Sequence, residues 1–119
     1  MSDDQPPGTR DHPWYTVRTA HFEASFLLGL GEEPETVQDV DVEVRLADGS
    51  RWSASMVTVA QVQVLMDRWA RSGEALGGSY FWCADGLIVR DPGVGAMTRV
   101  LTGLFDNGEL TDVLQRLDD

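Results

Sequence analysis

The residues best placed to do chemistry are Gly93-Val94-Gly95-Ala96-Met97-Thr98. A glycine-rich turn that leaves a strand and opens a helix is where a dinucleotide places its pyrophosphate. Three features oppose a nucleotide here. Thr98 stands where a third glycine or alanine belongs. The preceding strand is expected in a hairpin and not in a parallel βαβ unit. No later strand follows to bring an acidic group to a ribose. The segment reads as an ordinary helix start, and a small ligand-binding or enzymatic domain around Gly93 and Gly95 is the alternative.

Other constellations are weaker. Gly29-Leu30-Gly31 precedes Glu32 and Glu33, which would repel a phosphate. Asp39, Asp41 and Glu43 alternate like calcium-loop ligands, but Val40, Val42 and Val44 separate them and no glycine holds the sixth position. His21 and Glu23 share a strand face and would need distant partners to hold zinc, while His12 lies in a polar lead-in. Cys83, between Trp82 and Ala84, is expected on a strand in the core, where apolar surroundings raise a thiol pKa and make it inert. No Gly-x-Ser-x-Gly elbow occurs. All nine basic residues are arginine, which excludes Schiff-base and P-loop lysines. The expectation is a non-enzymatic chain with no catalytic residue, cofactor or metal.

Two features point to binding. Glu32, Glu33, Glu35, Asp39, Asp41 and Glu43 form an acidic tract that precedes Arg45. Close like charges cost stability, so their crowding calls for a reason beyond solubility. The second feature is Tyr80-Phe81-Trp82. If Phe81 and Cys83 point inward, alternation turns Tyr80, Trp82 and Ile88 outward, as an interface anchor would. The formal charge of −11 opposes nucleic acid and anionic membrane and favours a basic partner. The expected function is a protein–protein interaction domain that recognises a basic or amphipathic protein, for example an inhibitor or immunity-type protein. A homo-oligomeric scaffold, self-associating through Tyr80, Trp82 and Ile88, is another alternative.

The elements that must position these groups follow from periodicity. Residues 1–13, rich in proline and aspartate, read as a disordered lead-in to a single domain over residues 14–119. Ala20, Phe22, Ala24, Phe26 and Leu28 alternate as a strand would, although Phe22, Phe26 and Leu30 would also share a helical face. Val40, Val42, Val44 and Leu46 define a clear strand. A three-residue loop, Ala47-Asp48-Gly49 with Gly49 left-handed, pairs Val44 with Trp52, Val42 with Ala54 and Val40 with Met56, which keeps one face apolar. Thr58 and Gln61 form a capping box for a helix with Val62, Leu65, Met66 and Trp69 on one stripe, ended by Gly73. Ser79–Cys83 and Leu87–Arg90 read as a second bulged hairpin around Ala84-Asp85-Gly86. Val94, Met97, Leu101, Leu104 and Phe105 give a second helix, and Leu110, Val113, Leu114 and Leu117 a terminal third.

The fold class is therefore α+β, an antiparallel sheet of about five strands with three helices packed mainly on one face. With 119 residues the chain can bury a core without disulfides, and its single cysteine can form none within the chain. No apolar run is long enough to span a bilayer and the start lacks a secretory pattern, so the expected location is cytoplasmic. Scarce Lys, Asn and Ile beside abundant Ala, Gly, Val, Arg and Asp match a GC-rich bacterial genome.

Overall fold

Period-two burial organises the first half of the chain. The computed structural model describes residues 8–117. Strands β1 (Thr9–Asp11), β2 (Trp14–Arg18), β3 (Phe22–Leu27), β4 (Asp39–Leu46) and β5 (Arg51–Thr58) form an antiparallel meander, each paired with the next. Phe22, Ala24 and Phe26 are buried while Glu23, Ser25 and Leu27 are not, so residues 22–27 are strand and the helical alternative falls. Ala20 lies exposed just before it. The β4–β5 hairpin has the expected register, with Val44 opposite Trp52, Val42 opposite Ala54 and Val40 opposite Met56. Leu46 N–H donates to Ser50 O at 3.0 Å around Gly49, which sits at φ 87°. The apolar side chains of both strands meet in one core.

Several expectations need correction. Thr9–Asp11 pairs with Trp14–Arg18 and is not a disordered lead-in; residues 1–7 lie outside the described part. The terminal segment forms only a short helix, α4 (Leu110–Val113), before β7 (Gln115–Leu117) pairs antiparallel with Arg51–Ser53 of β5. Leu110 and Leu114 are buried, but Val113 is not. Four residues of helix suffice to bury that pair, and the free edge of β5 then takes the chain end.

The second hairpin is also absent. Residues 79–83 form no strand, and β6 (Gly86–Val89) pairs parallel with Ser55–Thr58 of β5. The tripeptide Ala84-Asp85-Gly86 does turn, with Asp85 left-handed at φ 56°. It delivers the chain to β5, however, where Ser55 N–H donates to Asp85 O at 2.9 Å. This pairing buries Val89 and half-buries Leu87 on the core side, whereas a local hairpin would leave the β5 edge unpaired. Among the described residues the sheet thus has seven strands and four helices, and is antiparallel except between β5 and β6.

The helices divide. Helix α3 (Val94–Asp106) and α4 close the core through Val94, Met97, Leu101, Leu110 and Leu114. Helix α1 (Val59–Ser72) starts as expected, with Thr58 Oγ1 accepting from Gln61 N–H at 3.0 Å, and ends at left-handed Gly73. None of its residues is buried. Its stripe packs instead on the returning chain, through α2 (Glu74–Gly78), a single turn wound left-handed at Ala75, Leu76 and Gly77. A Cβ at Gly78 would lie 2.1 Å from Met66 O, so only glycine lets this turn lie on α1.

Candidate functional site

Of the six carboxylates in the tract, the structure leaves Glu33, Glu35, Asp39 and Asp41 exposed. Glu32 is half-buried and accepts from Gly29 N–H at 2.5 Å, which closes its own loop. Glu43 is half-buried and ion-paired with Arg51 at 3.2 Å, a cross-sheet contact that removes it from the candidate surface. Asp41 accepts from the Ser55 hydroxyl at 2.7 Å and is exposed. Partial burial, then the charges of Asp41 and Glu32, hold the Asp39 carboxyl above its ordinary pKa. Glu32 and Asp41 therefore lie close enough to Asp39 to repel its charge, and Glu33 and Glu35 are exposed on the preceding loop.

That loop is clamped onto α3. Gly93 N–H donates to Val37 O at 2.8 Å and Val94 N–H to Pro34 O at 2.7 Å. Gly93 sits at φ 96°, and a Cβ there would come 2.4 Å from Glu35 O. The glycine at the start of α3 thus lets the acidic loop approach. Two N–H groups that would greet a phosphate at a helix start are taken by loop carbonyls. The arrangement serves the loop and argues against the nucleotide alternative.

The aromatic group lies on the β5–β6 connection. Phe81 stacks on Trp69 of α1, ring centroids 5.8 Å apart and 11° from parallel. Phe81 and Cys83 are half-buried and Tyr80 and Trp82 exposed, but the segment is not a strand and Phe81 packs on α1 outside the main core. Tyr80 is 50% exposed, Trp82 73% and Ile88 53%. Leu76, 80% exposed on the left-handed turn, joins the apolar surface of this connection. It escaped the sequence reading, because a lone leucine before two glycines carries no periodic signal.

The register brings the acidic row toward the end of this connection, since Asp41 lies opposite Ser55, whose N–H donates to Asp85 O. Cys83 is half-buried on a loop, not a core strand residue. Burial first, then the charges of Asp39, Asp41 and Asp85, push its thiol above the ordinary range. Asp39 pairs opposite Val57, and Asp41 opposite Ser55, on the sheet face away from the core. Val57 is buried nonetheless, between Asp39 of β4 and Ile88 of β6.

The histidine pair has another explanation. His21 stacks on Phe105 at 4.9 Å, and Glu23 is ion-paired with Arg18 at 2.6 Å. Among the described residues no three His, Cys, Asp or Glu side chains are grouped to hold a metal ion. No described helix is long and apolar enough to cross a membrane. Comparison of the chain with protein-family models, with curated proteins and with solved structures finds no match.

Proposed function

We propose that this chain is a non-enzymatic protein-binding domain whose partner presents a basic, amphipathic surface. The observation that carries this reading is the exposure of Leu76, Tyr80 and Trp82 on the β5–β6 connection and of Ile88 on β6, one strand removed from Asp39 across Val57. Clustered exposed apolar side chains mark interaction surfaces, and tryptophan and tyrosine are favoured anchors there. The neighbouring carboxylates and the net charge of −11 select a cationic partner and accelerate encounter with it. Glu33 and Glu35, clamped at the start of α3, extend the negative surface. An inhibitor that neutralises a cationic protein is the concrete form of this proposal.

The test is capture from source lysate at low and high salt, comparing the natural chain with a Tyr80→Ser/Trp82→Ser variant. The expected result is a captured protein lost with the double variant and weakened by salt. Capture indifferent to both changes would overturn the proposal. Light scattering during gel filtration separates it from the self-associating scaffold, which would run as an oligomer.

A further inference from the structure

We propose that the outer edge of β6 is a docking strip onto which the partner adds an extended segment as an eighth strand, with alternating apolar and basic side chains. This inference rests on the protein-binding reading above and specifies its geometry. Strand β6 ends the strand order, so its outer side faces no other described strand. In a parallel ladder successive peptide groups alternate in direction. Because Asp85 O accepts from Ser55 N–H, the peptide groups of Asp85, Leu87 and Val89 turn toward β5. Those of Gly86 and Ile88 therefore turn outward.

Folded proteins guard such edges with charge, proline or brevity. The opposite edge, β1, carries charge along its own length, as Arg10 and Asp11 among three exposed residues, whereas β6 (Gly86–Val89) is charged only at its flanks. The β6 edge presents glycine and a 53% exposed isoleucine, with Trp82 73% exposed on the segment leading into it. Backbone pairing would supply affinity, and the apolar surface of Ile88 and Trp82 would select alternate side chains of the incoming strand.

Charge decides the occupant. Asp85 and Asp91 bracket the strand, both exposed, and Arg90 is the one cation beside them. A second copy paired antiparallel through Ile88 would set each Asp85 opposite the partner's Asp91, twice per interface, between chains of charge −11. A basic segment meets the same aspartates with opposite charge. The occupant is therefore a cationic strand of another protein.

The probe is a fluorescent octapeptide of alternating arginine and valine, read by polarisation, beside the same peptide N-methylated at alternate residues. Binding is expected for the first, with about tenfold weaker binding for the N-methylated form, since it retains the side chains and loses backbone donors. Slowed hydrogen exchange at the Ile88 amide and loss of binding in Ile88→Lys, with an unchanged circular dichroism spectrum, complete the expected result. Equal binding of both peptides overturns edge pairing while leaving the apolar and acidic recognition intact. Absence of peptide binding, or a dimer through β6, also overturns edge pairing, and the lysate capture then judges the broader reading on its own.

Discussion

Replacing Gly93 with alanine tests whether the start of α3 truly holds the acidic loop. At φ 96° and ψ 147° the residue occupies a region that side chains rarely enter, which costs about 1–3 kcal/mol. The new Cβ would lie 2.4 Å from Glu35 O, so the loop must move away. That movement endangers the bonds from Gly93 and Val94 to Val37 and Pro34, worth about 1 kcal/mol each. The total is about 3–5 kcal/mol. A chain of 119 residues gains about 250 cal/mol/K of entropy on unfolding, so Tm should fall by about 12–20 °C. Gly103→Ala, on the same helix with open space around its Cβ, should instead add about 0.5–1 kcal/mol. Urea unfolding of both variants provides the comparison. If Gly93→Ala lies within about 1 kcal/mol of the natural protein, the clamp described here is wrong.

Further predictions follow from single side chains. Thr98 is buried with no hydrogen-bond partner for its hydroxyl among the described residues, so Thr98→Val should raise stability by about 1–2 kcal/mol in the same assay. Asp39 has a raised pKa in the folded state, so its contribution to stability is lost as pH rises through that value and recovered below the ordinary carboxylate range. Asp39→Asn should accordingly melt higher than the natural chain at pH 7, with the gap closing near pH 3; a gap independent of pH would count against the repulsion. Cys83 should react with a disulfide reagent at pH 8 more slowly than a free thiol, and Asp39→Asn/Asp41→Asn should quicken it, since removing both charges lowers the thiol pKa. Gly78→Ala should release α2 from α1 and speed hydrogen exchange in Val59–Ser72 while leaving the sheet protected.

The sequence by itself determined the parts whose information is local. Alternating valines in β4, the bulged turn at Gly49 and the Thr58 cap each stabilise one conformation through neighbours a few residues away. Tertiary structure decided the rest. Ala84-Asp85-Gly86 turns in either arrangement, and only the unpaired edge of β5, about thirty residues back in the chain, made β6 parallel to it. Arg51 met Glu43 only once the hairpin had formed, which removed one carboxylate from the tract. Gly93 resembled a phosphate site in sequence until folding brought the carbonyls of Pro34 and Val37 to its helix. A chain's own periodicity reports how each segment bends and which side it buries. Which segment completes an open edge, a free N–H or a bare carboxylate depends on contacts distant in sequence, and those exist only in the folded molecule.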